Sequence, residues 1–316
     1  MKLQKIVKAC RIDKPGRFRL ADHDPAETFG FSAASAEANR ILAGGVRELA
    51  EMQQRLYADG RWAVLVVLQG MDAAGKDGVI KHVMSGINPQ GCEVRPFKAP
   101  SSEELQHDFL WRAGRYLPER GRIGIFNRSH YEEVLIVRVQ PQMLERQKLP
   151  PSLVDKDIWK RRFAEINAFE RHVACNGTLI LKFHLRISKE EQRRRFLARL
   201  EEPVKRWKFS MGDVTDRQRW DDYMAAYEDM IRATSTREAP WYVVPADHKH
   251  VARVVVCAAM YEALEKLKLD YPKIEGKALD ELKAAEGALK AEKPDGSPAR
   301  RRKGRRKARG KAKRKT

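Results

Sequence analysis

The chain has 316 residues, 42% of them hydrophobic, which suits one large domain with a sizeable core. No run of about 18 apolar residues is present, which argues against a membrane-spanning helix, and Cys10, Cys92, Cys175 and Cys257 lack the paired spacing of a zinc or disulfide framework. The net charge of +20 is uneven: twelve of the 63 Lys and Arg residues fall in 300–316, where there is no acid, leaving 51 basic against 43 acidic residues elsewhere.

The opening stretch, MKLQKIVKACRIDKPG, has no apolar core of the signal-peptide kind, so a cytoplasmic protein is expected. Residues 1–32 are polar and broken by Pro15, Gly16, Pro25 and Gly30, and read as an irregular arm. From 32 to 59, Ile41, Leu42, Val46, Leu49 and Leu56 recur at helical spacing. RWAVLVVLQ (61–69) is a continuous apolar run of strand length, of the kind found in parallel sheets covered on both faces. A helix is predicted just after Gly75, through KDGVIKHVMSGI.

The alternation then repeats. CEVRPFK (92–98) is a second strand, and 101–117 is a helix opening with the Ser101/Glu104 capping-box pair. RIGIFN (122–127) is a third strand, 155–176 an amphipathic helix, and TLILKFHLRI (178–187) a fourth strand. Ser188 and Glu191 form another capping box, starting KEEQRRRFLARL; PWYVVPA (240–246) is a fifth strand, and 249–267 a closing helix. Strands alternating with helices predict an α/β fold of three layers, with helices on both sides of a mainly parallel five-stranded sheet. The α/β domain is expected over 33–268, with a helical segment at about 188–235 set off as a lid, followed by a linker and a disordered Lys/Arg-rich tail over 269–316.

The first strand runs into GMDAAGKDG. Gly70, Gly75 and Lys76 match the phosphate-binding pattern G-x-x-x-x-G-K-[S/T] up to its last position, where Asp77 replaces the hydroxyl. The backbone N–H groups of Gly70, Ala73, Ala74, Gly75, Asp77 and Gly78 are candidates to wrap phosphate oxygens, with Lys76 as a point charge. Two carboxylates, Asp72 and Asp77, would repel phosphate unless Mg2+, or Mn2+ in its place, lies between them. Asp72 is alternatively a base or orienting group, and Asp77 alternatively a first-turn acid favoured by the helix dipole.

The third strand ends at Asn127, where many phosphate-loop enzymes carry a metal-organising Asp. Glu132 and Glu133, just downstream, are candidates to supply the missing charge. Arg128, at the carboxyl end of that strand, is a candidate anion ligand. QRRRFLARL followed by EEPVKRWKFSMGD places cations and Trp207 on a helix and a Pro/Gly-marked loop, as a lid over a phosphoryl-transfer site requires. Lys81, Arg122, Arg128, Arg193, Arg195, Lys205 and Lys208 are the cations these segments offer to a phosphate site, with Arg194 as the candidate catalytic arginine of the lid.

Four segments, LQGMDAAGKDGVIKHVMSGINPQGCEV, LPERGRIGIFNRSHYEEVLIVRV, EEQRRRFLARLEEPVKRWKFS and RWDDYMAAYEDMI with APWYVVPADHKHVAR, together resemble the polyphosphate kinase 2 family over roughly Arg17 to Leu267. The resemblance implies a phosphate-loop kinase core similar to thymidylate kinase, a helical lid, and Mg2+-dependent phosphoryl transfer between inorganic polyphosphate and nucleotides. GMDAAGKDG with Asn127 is similar to the single-domain branch accepting AMP and ADP, with GMP and GDP as further candidates. Asp72, Lys76 and Arg128 match the family's motif residues, one arginine of 193–195 its lid arginine, and Asn127 departs from the acidic version. The family also implies a homo-oligomer, with a tetramer as one form. An ATP-dependent nucleotide kinase shares the loop, the lid and the metal and differs in the donor. A polyanion- or nucleic-acid-binding protein with a vestigial phosphate loop is a third reading, supported by the tail ARRRKGRRKARGKAKRKT. That tail has no aromatic residue to stack on bases, and could instead hold polyphosphate near the site.

Overall fold

In the computed structural model, which describes residues 2–32 and 36–292, the chain runs α1 (Lys2–Cys10), α2 (Ala36–Asp59), β1 (Ala63–Gln69), α3 (Lys76–Val83), β2 (Cys92–Pro96), α4 (Trp111–Arg115), β3 (Ile123–Asn127), α5 (Ile136–Val139), α6 (Ile158–Cys175), β4 (Thr178–Arg186), α7 (Lys189–Glu201), α8 (Met211–Gln218), α9 (Trp220–Thr234), β5 (Trp241–Pro245), α10 (Lys249–Glu265) and α11 (Lys277–Ala291). The chain divides into two units, Met1–Tyr271 and Pro272–Thr316. The first holds the sheet and α1 to α10; the described part of the second is dominated by α11.

All strand pairings are parallel, in the order β2-β3-β1-β4-β5. β1 is central and buried at every position, as its unbroken apolar run requires when helices cover both faces. α10 packs on α1, α2 and α3, and α6 packs on β4 and α9. Strand order reverses at β1, so the crevice at the carboxyl ends of β1 and β3 is where such a sheet binds ligands. The α/β class, the five strands and the α3, α6, α7 and α10 helices fall where the sequence placed them.

Three local expectations are corrected. Residues 1–32, read as irregular, open with α1, whose Ile6, Val7 and Cys10 are buried at helical spacing; Ile12 N then donates to Trp241 O at 2.9 Å, pinning the arm to β5. The helix expected over 101–117 is only a turn at 104–106 and the five-residue α4. Its capping box is real, with Ser101 N and Glu104 N each bonded to the other's side chain, but Asp108 accepts from Leu110 N and a new turn starts there. Residues 277–291, placed in a linker, form α11, while the tail beyond 292 lies outside the described residues.

Within the expected lid span, α9 buries Trp220, Tyr223, Tyr227 and Ile231 against the body. The outward part is the end of α7 with residues 203–211, where Val204, Trp207 and Met211 are exposed.

Candidate active site

The loop after β1 is shaped by positive-φ backbone. Gly70 has φ +151°, and a Cβ there would lie 2.6 Å from Leu185 O, so only glycine fits between β1 and β4. Ala73 (φ +63°) and Gly75 (φ +108°) complete the turn, and Lys76 is the first residue of α3. The Lys76 ammonium reaches back into the loop, donating to Gly70 O at 2.6 Å and Met71 O at 3.2 Å. Burial, reinforced by Arg128, lowers Lys76 to about 8 against the opposing pull of Asp72, Glu132 and Asp77.

The two loop acids have different partners. Asp72 is ion-paired with Arg128. Burial would raise its carboxyl, but Lys76 and Arg128, with Arg199 further off, outweigh that and hold it below the usual range. Asp77 Oδ1 accepts from Asn127 Nδ2 at 2.8 Å. The amide that replaces the expected acid at the end of β3 therefore orients the extra acid of the loop. Arg128 has φ +62°, its N–H donates to Leu68 O at 3.0 Å, and its second carboxylate neighbour is Glu132 at 3.5 Å. Glu132 foremost, with Asp72, raises the guanidinium above its ordinary value, although burial opposes them.

Glu133 stands apart from this group. Its oxygens meet Arg162 Nε at 3.1 Å and Gln147 Nε2 at 2.7 Å. Burial raises its pKa, with Arg162 opposing. Both Glu132 and Glu133 border the cavity, but Glu132 pairs with Arg128 and Glu133 with Arg162, so they do not act as a pair. Among the described residues no group of three or more His, Cys, Asp or Glu side chains is placed to hold a metal. The four carboxylates expected to hold one thus make no closed cage. Asp72 and Asp77, with Glu132 beside Arg128, nonetheless fit a hard divalent ion of the Mg2+ kind, which typically takes one or two carboxylates and completes its shell with phosphate oxygens and water.

A cavity of about 1150 Å³ opens over the loop. Its wall includes residues 72–79, 96–100, 127–130, Glu132 and Glu133 from the body, and Arg194, Arg195, Arg199, Lys205, Trp207 and Lys208 from α7 and the loop after it. Arg195 is the most committed of these cations. Its guanidinium donates to Ala73 O (2.8 Å), Ala74 O (3.1 Å), Ala246 O (2.6 Å) and Asp247 O (2.9 Å), and to Glu191 at 2.6 Å. It is a strut that holds the loop's shape, and its five N–H bonds are directed at protein atoms. Arg194 also binds Glu191, at 2.5 and 2.7 Å, but its side chain is 70% exposed on the cavity wall.

Three expected cations lie elsewhere. Arg122 sits at the amino end of β3, bonded to Glu119 at 3.1 Å; Arg193 is bonded to Glu190 at 3.1 Å; Lys81 is exposed on α3; none lines the cavity. Cations at the cavity that no motif marked are Lys98, Arg112, Arg146, Lys249 and Arg253. Lys249 and Arg253 are one turn apart at the start of α10, a spacing too common on helix surfaces to signal a site. The arrangement can neutralise a large negative charge: donors and cations converge on a loop whose acids can share a divalent ion with bound phosphates.

A model of the family described as polyphosphate kinase 2 matches residues 32–272. The chain is 54% identical over 249 residues to an ADP-polyphosphate phosphotransferase from Rhodopseudomonas palustris, covering 78% of this chain and 86% of that protein. It is 46% identical over 269 residues to an AMP/ADP-polyphosphate phosphotransferase from Meiothermus ruber, covering 85% and 97% of the two chains. Its fold superposes on a crystal structure of polyphosphate kinase 2 from Arthrobacter aurescens with a TM-score of 0.80 at 41% sequence identity, covering 89% and 96% of the two chains.

Proposed function

The chain belongs to the polyphosphate kinase 2 family, and from that premise we propose that its cavity transfers a phosphoryl group between inorganic polyphosphate and adenine nucleotides. The observation that carries the reading is the convergence of Lys76, Asp72, Arg128, Asp77 and Asn127 on one phosphate loop. In the forward direction an oxygen of the terminal phosphate of AMP or ADP attacks the end phosphorus of the polyphosphate. A new P–O bond forms, the bridging P–O bond breaks, and its oxygen leaves as the new end of the shortened chain. The reverse reaction uses the same contacts.

Both reactants are anions, so most of the work is positioning and charge neutralisation. The loop N–H groups and Lys76 hold phosphate oxygens. Arg128 bridges toward the transferred group from Asp72, and Arg194 approaches from the exposed side. Asn127 keeps Asp77 oriented, and Arg195 keeps the loop shaped. Asp72 and Asp77 would hold Mg2+, or Mn2+, which when bound withdraws charge from the phosphate oxygens.

AMP and ADP both serve as acceptors in this reading, with GMP and GDP as weaker candidates. The domain spans 33–268 with the N-terminal arm packed on it, the outward part of the 188–235 span closes over the cavity, and the protein works in the cytoplasm as a homo-oligomer, with a tetramer as the candidate form. The Lys/Arg-rich run at 300–316 tethers long polyphosphate by counterion release; deleting 295–316 should weaken the apparent affinity for long chains at low salt, and an unchanged affinity sinks that role.

The test of the reaction is purified protein with Mg2+ and long-chain polyphosphate, given AMP and ADP in separate reactions and followed by nucleotide chromatography, with Lys76→Ala as control. ATP from ADP and ADP from AMP, both lost in the variant, are expected. Product formed only when ATP is the donor would make the protein an ordinary nucleotide kinase. No transfer from any donor would leave polyanion binding as its activity.

A further inference from the structure

The turn that carries Arg128 rests on a buried polar knot; His130 borders the cavity, whereas Tyr131, Glu170 and Lys182 do not. Lys182, in the middle of β4, is fully buried, and its ammonium donates to Glu170 Oε2 at 2.5 Å, Tyr131 Oη at 2.8 Å and Thr234 O at 2.7 Å. Its three protons therefore all have acceptors. Glu170, on α6, accepts from the Tyr131 hydroxyl on Oε1 at 2.7 Å, and His130 Nε2 lies 3.6 Å from the same oxygen. The Thr234 hydroxyl accepts from Trp241 Nε1 at 2.9 Å, and the Trp241 ring meets that of Tyr131 edge-on at 4.8 Å.

Such a pair is a poor source of stability. Taking two charges out of water offsets most of their attraction, and well-packed apolar replacements are often neutral or better. Burial would raise the Glu170 carboxyl, yet Lys182 and then His130 outweigh it and hold the group below its ordinary value. A charge pair kept inside a sheet core, with every proton satisfied, acts through geometry.

What it holds is the exit of β3. Arg128 is left-handed at φ +62°, a conformation that in a non-glycine residue costs about 1–3 kcal/mol and persists only where its surroundings over-determine it. From β1, the segment is held by Arg128 N to Leu68 O at 3.0 Å and by the Gln69 side-chain amide, which meets Ser129 Oγ at 3.0 Å. From the far side it is held by Tyr131, three residues on, whose hydroxyl joins the knot.

We propose that Tyr131, Glu170 and Lys182 are positioning residues for phosphoryl transfer: together they lock the 127–131 turn so that Arg128 meets Asp72 and Asn127 meets Asp77. The proposal rests on the transfer reaction described above.

Two variants test it. Tyr131→Phe keeps the ring and removes only the shared hydroxyl. Lys182→Met combined with Glu170→Gln removes both charges together. Both should fold, with Tm within about 5 °C of wild type, and KM for polyphosphate should change by no more than about twofold. The turnover number should fall by roughly tenfold or more, the effect of misplacing one charge-assisted contact in the transition state. In an Arg128→Lys background, Tyr131→Phe should have a clearly smaller further effect, because the fork it chiefly positions is already gone. A purely structural role predicts the same fractional loss in both backgrounds, and that result, or a folded Tyr131→Phe with wild-type turnover, overturns the proposal. If the paired variant does not fold, Tyr131→Phe decides alone. Wild-type protein that moves no phosphate from polyphosphate brings down the reaction and this role together; wild-type transfer with indifferent variants brings down only the role.

Discussion

The Arg128 guanidinium closes on the Asp72 carboxylate although the two residues are 56 positions apart, one in the loop after β1 and one at the exit of β3. The pair ties the two strands that flank the crevice at the very point where phosphate would enter. In the free protein Asp72 is therefore preset in its ionised form, and Arg128 is poised with one edge toward the loop. Arg128→Lys keeps the charge and loses the planar fork. Its turnover should fall by about 10²–10³-fold, as when one preorganised donor is removed, and steady-state assay with polyphosphate and ADP measures it.

Lys76 should set the alkaline limb of catalysis. It is lowered to about 8, chiefly by burial. A phosphate ligand needs the cation, so kcat/KM for polyphosphate should decline as pH rises through about 8 in the free enzyme. Bound phosphate favours the charged form, so the corresponding limb of kcat should lie at higher pH. A kcat/KM profile flat to pH 10 would contradict this assignment.

The same group should oppose stability. Below pH of about 8 Lys76 is protonated in both folded and unfolded states, and the full cost of burying its charge is present. Between about 8 and 10.5 the unfolded chain binds more protons, so stability from this group rises with pH. Lys76→Met should abolish transfer and raise the thermal stability of the ligand-free protein at neutral pH, by roughly 1–3 kcal/mol given about 1.4 kcal/mol per pKa unit. Calorimetry at pH 7 and pH 10 checks both the sign and the narrowing of the gap.

The neighbouring arginines should separate cleanly. Arg195→Met removes the strut between α7, the loop and the end of β5, and should lower Tm as well as activity. Arg194→Met touches an exposed side chain and should leave Tm unchanged while reducing turnover by roughly tenfold to a hundredfold. Paired melting curves and kinetics distinguish them; a destabilised Arg194→Met would reverse their roles.

Gly70→Ala should fail for a steric reason. Its φ is +151° and the new Cβ would sit 2.6 Å from the Leu185 carbonyl oxygen, which belongs to β4 and has little room to move. The expected loss is roughly 3 kcal/mol or more, read by urea unfolding, with phosphate affinity falling alongside it.

Much of the site was legible because its signals are local. The run at 61–69 followed by the glycine spacing and Lys76 is a chain-local pattern, and so is the capping of α7, where Ser188 Oγ accepts from Glu191 N at 3.1 Å. Asp72, Asn127 and Arg128 were visible as polar residues at the carboxyl ends of two strands. Local signals misled where a tertiary partner outweighed them: Glu133 resembled a metal ligand until Arg162 and Gln147 took its oxygens, and Arg122 was one residue from a site strand but at its far end. α1 was not legible because Ile6, Val7 and Cys10, in a lysine-rich stretch, gain their meaning only from the core they enter.

The sequence by itself determined the α/β alternation, the loop and the identity of its charged residues, because hydrophobic period and glycine spacing act over a few neighbouring residues. Only the tertiary structure decided which charges meet. Arg128 turns to Asp72, Asn127 to Asp77, and Arg195 to the loop carbonyls, whereas Arg122 and Arg193 face away. The cations Lys98, Arg112, Arg146, Lys249 and Arg253 reach the cavity from elements far apart in the chain. The physical reason is that electrostatic function depends on distances of a few ångströms between groups, and those distances are set by sheet order and helix packing, which no short stretch of sequence contains.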